Sequence, residues 1–169
     1  TFSRILGTIV LFFAAFFLIG IFIPTISYDI EIEIDRPTNE VFQALTDSIL
    51  LPQWVNGLKS SKLNNGRPRA SGAVYSIVIQ DGDQTVAFEE TIVRIEPDSV
   101  LFYMLESKTF NGTVLIKCQE TLEKTVLTAH TTLEGNLWFI KSLLPLIKQS
   151  IFERKYSDYN NFKSLLKVK

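Results

Sequence analysis

His130 is the only histidine in the chain. A catalytic imidazole needs a carboxylate to orient it and a hydroxyl or thiol to act on, and no spacing in the sequence supplies either. His130 falls in the alternating stretch 124–133, on one side with Val126, Thr128 and Thr132. Leu127, Ala129 and Leu133 form the more apolar opposite side, so His130 reads as a solvated or structural strand residue. Glu89 and Glu90 suggest paired carboxylates for acid–base chemistry. Neighbours on a strand point to opposite faces, so they form no dyad unless a bulge intervenes. Glu90 shares its parity with Val86, Phe88 and Ile92. Two readings of it stand: an inward carboxyl with a raised pKa, or one half of a surface ion pair.

Asp81 and Asp83 resemble a metal-binding D-x-D, but the intervening Gly82 makes a hairpin turn the better reading. Cys118 aligns with Val114 and Ile116 and reads as a small buried apolar residue. As the only cysteine it rules out an intramolecular disulfide and a cysteine-rich zinc site. No phosphate-binding glycine loop, dinucleotide fingerprint or nucleophile elbow occurs. No catalytic residue, metal or cofactor is therefore expected. The net charge of −1, with acids and bases interspersed, gives no basic stripe for nucleic acid. Asn111-Gly112-Thr113 fits a glycosylation acceptor, which matters only in a eukaryotic secretory pathway, and chance is the simpler reading.

The longest uncharged run is residues 5–23, ILGTIVLFFAAFFLIGIFI, in which Thr8 is the one polar side chain. As a helix it extends about 28 Å, close to a bilayer's hydrocarbon core. The run is too long for the apolar part of a signal peptide, and no A-x-A pattern follows it. The expectation is a transmembrane anchor over residues 1–24 and one soluble domain over residues 25–169. Arg4 precedes the run while Asp29, Glu31 and Glu33 follow it, which places the soluble domain on the non-cytoplasmic side of a single-pass protein.

Within the domain, Ile26, Tyr28, Ile30, Ile32 and Ile34 alternate with polar residues, giving a half-buried strand. Pro37 fits a first helical turn, with Val41, Phe42 and Leu45 as its apolar stripe. A second short helix is predicted over 48–55, closed by Gly57. From there to Gly135 the chain reads as strand and turn. Asn64-Asn65-Gly66, Asp81-Gly82-Asp83 and Pro97-Asp98-Ser99 turn it, and Glu123 sits in a tight turn between strands 113–121 and 124–133. That makes about seven strands, the last six an antiparallel meander. Residues 137–168 switch to helical spacing, with Ile140, Leu143, Leu144, Ile147, Ile151, Phe162, Leu165 and Leu166 on one face. Lys148, Glu153, Arg154, Asp158, Lys163 and Lys167 take the other face, and Pro145 either kinks this helix or begins its main section.

This order of elements is that of a helix-grip fold. IEIDRPTNEVFQALTD followed by Trp54 resembles the opening strand and first helix of the SRPBCC superfamily, which includes START, Bet v 1-like and polyketide cyclase/dehydrase-like domains. IVRIEPDSVLFYML resembles its strand–Pro-turn–strand, and NNFKSLLK its closing helix. The resemblance covers residues 26–168 and carries over no active-site residue. It implies an α+β fold in which a curved antiparallel sheet of about seven strands wraps the last helix. It also implies a cavity between them for a lipid, sterol, quinone or polyketide-like molecule.

Strand parity then selects Trp54, Tyr75, Ile77, Phe88, Phe102, Met104 and Cys118 as inward-facing, with Glu90 as the inward carboxyl. Residues 100–106 are apolar on both sides, so Tyr103 and Leu105 compete with Phe102 and Met104, and a one-residue slip exchanges the two sets. The function that fits best is a membrane-anchored domain that binds or carries an apolar small molecule. One alternative is a cyclase/dehydrase-type enzyme drawing on Glu90, His130, Tyr75 and Tyr103. Another is a regulatory protein-interaction module whose cavity its own side chains fill.

Overall fold

The computed structural model describes residues 2–122 and 124–167. Glu123 and the last residue of the expected C-terminal helix, Val168, lie outside them. A first helix, α1 (Phe2–Phe22), leads into strand β1 (Thr25–Ile34), then short helices α2 (Thr38–Leu45) and α3 (Leu51–Trp54). Strands β2 (Leu58–Asn65), β3 (Val74–Asp81), β4 (Gln84–Glu96), β5 (Val100–Glu106), β6 (Phe110–Thr121) and β7 (Lys124–Gly135) follow, and α4 (Trp138–Lys167) ends the fold. The sheet order is β1-β7-β6-β5-β4-β3-β2, antiparallel throughout. The last six strands are thus the expected meander, and β1 closes on the free side of β7. This is the helix-grip architecture.

The strict alternation of β1 becomes strict alternation of burial, with Ile26, Tyr28, Ile30, Ile32 and Ile34 all buried. At about 1.5–3 kcal/mol for each fully buried large apolar side chain, this strand alone anchors one edge of the core. Leu127, Ala129, Val114 and Ile116 extend the same layer across β7 and β6. Helix α4 lies on β1, β7 and α3. It places Phe162, fully buried, against Trp54, with ring centroids 5.1 Å apart.

Several local expectations are corrected. Pro37 is the N-cap of α2 rather than a residue of its first turn, because its ψ of 153° is extended. The second helix is a single turn, Leu51–Trp54, since residues 48–50 form a turn of their own. Asn64-Asn65-Gly66 ends β2 without a tight hairpin, and β3 does not begin until Val74. Strand β6 starts at Phe110, paired with Gly135. Helix α4 begins at Trp138 and runs through Pro145. Asp158 does not lie on the solvated face. It is 1% exposed, because it stands on the same stripe as Tyr159 and Phe162. There it accepts hydrogen bonds from the Asn56 backbone amide (2.9 Å) and side-chain amide (2.8 Å), and pairs with Lys155 at 3.3 Å.

Helix α1 is long and apolar enough over Arg4–Phe22 to cross a membrane, and almost none of it is buried in the protein. Its C-terminal half leans on the start of α4. Phe17 and Trp138 stack with centroids 4.1 Å apart. Gly20 lets the two backbones close up: a Cβ there would stand 2.5 Å from Ser142 Oγ and 2.9 Å from Ser142 N.

Candidate functional site

The concave side of β3, β4 and β5 carries the side chains that matter. Cross-strand pairing sets Tyr75 beside Glu90 and Ile77 beside Phe88. It also sets Ile92 beside Tyr103, and Tyr103 beside Val114. A register shift between Ile92 and Arg94 bulges β4 at Val93, which is 42% exposed, so that Ile95 returns to the inner face opposite Leu101. Glu90 is therefore an inward carboxyl, while Glu89 points out and accepts a long hydrogen bond from Asn64.

Between this wall and the α2–α3 corner lies a cavity of about 70 Å³. Tyr75, Glu90, Ile92 and Leu101 form its floor, and Leu45 and Leu51 its roof. The rim is polar. Arg69, held in the left-handed region at φ 56°, pairs with Asp47 at 3.0 Å, and its backbone amide donates to the Tyr75 hydroxyl at 3.1 Å. The ion pair ties the 66–73 loop to the α2–α3 turn across the mouth.

Burial dominates the electrostatics inside. It pushes the half-buried Glu90 carboxyl up from 4.5 to about 7, with Lys155 pulling weakly the other way. The Tyr103 hydroxyl is driven well above its ordinary range, first by burial and then by the nearby Tyr159, Glu90, Tyr28 and Asp158. Tyr159 is raised in the same way. Tyr28 reaches about 12 through burial, opposed by the adjacent Thr131. These groups form a polar island inside an apolar shell, close enough to feel one another's charge. Glu90 has no hydrogen-bond partner among the described residues, and burial and Lys155 alone set its pKa. The buried Trp54 Nε1 also lacks a partner.

A second opening, an outward groove of about 610 Å³, runs between α4 and the end of β3. Ile147, Ile151 and Arg154 line its helix side, and Gln80 and Asp81 its strand side. Arg154 straps the groove shut at one end. Its guanidinium donates to the carbonyls of Gln80 (3.0 Å) and Asn56 (3.2 Å) and pairs with Asp81. Gly57 permits the close approach: a Cβ there would lie 2.1 Å from Gln80 O.

Of the residues selected from sequence, Tyr75, Ile77, Phe88 and Glu90 come together on β3 and β4. Trp54 and Ile77 are core, and Cys118 is also buried, in surroundings that push its thiol up to about 11. Phe102 and Met104 point to the outer face, opposite Arg94 and Thr91, because the Tyr103–Ile92 pairing fixes the other parity. Tyr103, Leu101 and Leu105 take their place in the core. His130 is exposed on the outer face, its Nδ1 2.6 Å from Asp29 Oδ1, and is remote from the cavity. Sequence reasoning misses Tyr28, Tyr159 and Asp158 as site residues. The signal for Tyr28 is its place among the inward isoleucines of β1, and for Tyr159 its spacing three residues before Phe162. Among the described residues no three metal-ligating side chains cluster.

No curated protein matches the chain significantly in sequence. Several solved structures share its fold. The Ara h 8.0201 crystal structure superposes with a TM-score of 0.70 at 12% identity, over 86% of this chain and 99% of that one. TTHA0849 from Thermus thermophilus gives 0.69 at 14% identity, over 85% and 98%. The di-domain ARO/CYC StfQ from the steffimycin biosynthetic pathway gives 0.71 at 11% identity, over 85% of this chain and 52% of that one. At such identities the likeness shows the fold alone. The sequence model for polyketide cyclase / dehydrase and lipid transport proteins matches residues 25–154, most of the chain, and the chain belongs to that family.

Proposed function

We propose that residues 25–169 bind or carry an apolar small molecule with a polar end, such as a lipid, quinone or polyketide-like compound, and that α1 tethers them to a membrane. The observation that carries this reading is Glu90, a half-buried inward carboxyl that lines the cavity and has no hydrogen-bond partner among the described residues. Glu90 opens onto the cavity, so the donor or acceptor of a ligand seated there can meet it. At pH near 7 the group can act either as donor or as acceptor. The family, described by both cyclase/dehydrase chemistry and lipid transport, supports the same class of ligand.

The cavity of about 70 Å³ is far below the roughly 300–1,000 Å³ of small-molecule sites. Loading a larger molecule therefore calls for this opening to widen, and the exposed Arg69–Asp47 ion pair across its mouth is one contact that has to give. Membrane insertion of α1 rests on its length and its exposed apolar surface, and Arg4 ahead of it favours a non-cytoplasmic domain. Native mass spectrometry of the full chain released from mild detergent tests the reading. A bound apolar molecule of defined mass, displaced in Glu90→Leu, is expected. Bare protein across several lipid-rich preparations would overturn it.

A cyclase/dehydrase-type activity is favoured by one further observation, that Tyr75 and Glu90 are cross-strand neighbours and both line the cavity. A phenol and a carboxyl of pKa about 7 could move a proton on a bound ketone. His130, also considered for that chemistry, stands outside it.

A further inference from the structure

We infer that the start of α4 and the residue before it, residues 137–147, are a second membrane-contacting element, seated on α1 and inserted into the outer layer of the bilayer. The inference rests on the reading of α1 as a membrane helix. Three observations place the contact. First, this stretch shows solvent large apolar side chains, with Trp138 54% and Leu146 60% exposed, and Phe139, Leu143 and Ile147 exposed beside them. Such a strip on a soluble protein marks a binding surface. Second, its one charged residue, Lys141, is bonded to Glu134 at 3.0 Å, and the run of exposed polar residues resumes only at Lys148.

Third, the strip is continuous with α1, and the stacking sets its depth. Trp138 lies on Phe17, and Ser142 lies against Gly20, so the two helices run in the same direction there. Phe17 stands five residues before the end of α1 at Phe22, about 7.5 Å along the axis. An interfacial helix buries its apolar face about 5–10 Å into the headgroup boundary, and tryptophan concentrates at that level. If α1 spans, Trp138 is carried to the depth such a helix prefers, and α4 climbs out of the lipid as it proceeds. Ile147, the last residue of the strip, also lines the open groove beside Ile151 and Arg154. The groove mouth is thereby held at the lipid surface.

The test uses the full chain in phosphatidylcholine vesicles whose acyl chains carry bromine at shallow or deep positions. The emission lost in Trp138→Phe isolates Trp138, while Trp54, buried in the core, serves as the unquenched reference. Phe12→Trp in the Trp138→Phe background reports α1. The expected result is that shallow bromine removes roughly half of the Trp138 emission, the depth sought by interfacial tryptophan. Quenching of the Phe12→Trp probe with Trp138 untouched would overturn this inference and leave the α1 reading intact. If neither probe is quenched, the α1 reading fails and takes the inference with it. Protection of Trp138 together with cross-linking of two copies through position 146 would assign the strip to a second chain and overturn the lipid contact.

Discussion

The two halves of the sheet are built from similar residues but packed to different ends. Across β1, β7 and β6 the inner face is sealed: Ile30, Ile34, Leu127, Ala129 and Ile116 are all within 2% of full burial, with α4 over β1 and β7 and α2 over β6 and β7. Across β2, β3 and β4 the inner face is less completely covered: Tyr75, Phe88 and Glu90 are half-buried beside the buried Ile77, Ile79 and Ile92, and α4 reaches only the end of β3, through Arg154. The sealed half carries threonines that are satisfied, as where the buried Thr125 hydroxyl donates to Arg36 O at 2.7 Å. The half-open half carries Glu90, which is not. Stability thus concentrates where the helix grips, and the half-buried carboxyl of Glu90 sits where it does not. That division is what a fold needs in order to hold a ligand without melting.

Truncating the sealed half should have the largest effect. Phe162→Ala removes a fully buried ring that packs on Trp54 and should lower stability by about 3–5 kcal/mol, read by chemical denaturation. If the loss is below about 1 kcal/mol, α4 is not gripped as described. Glu90 sharpens the other side of the comparison. With its carboxyl at about 7 folded and 4.5 ordinarily, the folded state holds a proton that the unfolded chain releases. Its contribution is full below pH 4.5 and is lost as pH rises through 7, by at most about 3 kcal/mol. Glu90→Gln should flatten that fall, and a slope unchanged in the variant would place the carboxyl in solvent.

Asp158→Ala should cost about 1–3 kcal/mol, because it strands the Asn56 amide that joins α3 to α4. Urea titration of the variant checks it. The smallest stability change belongs to Arg69→Ala at the cavity mouth. The exposed pair with Asp47 contributes about 0–1 kcal/mol, yet its loss should speed exchange of a fluorescent fatty probe measured by stopped flow. Unaltered exchange would move the entrance elsewhere, with the groove beneath Arg154 as the next place to look.

The sheet, the meander and the closing helix were legible because period-two and period-3.6 patterns were clean in β1, β3 and α4. The wall of the site was only half legible. VLFYMLE is apolar on both sides, so β5 alone offers no parity, and the choice between Phe102 and Tyr103 is made by pairing with Ile92 and Val114. Asp158 escapes a sequence reading for a different reason. A charged residue on a helix defaults to the solvated face, and the partner that buries it, Asn56, is distant in sequence. Of the polar island, Glu90 and Tyr103 are named from sequence, while Tyr28 and Tyr159 are missed because the four come from four separate elements.

The most direct test of the ligand face is photocross-linking. A fatty acid bearing a diazirine would be equilibrated with the full chain in vesicles, and its adducts mapped by peptide mass spectrometry. Adducts on the concave wall, at Tyr75, Phe88, Glu90 or Tyr103, with none at Phe102 or Met104 on the outer face, are what this account expects. Adducts confined to α1 or spread over the outer face would contradict it.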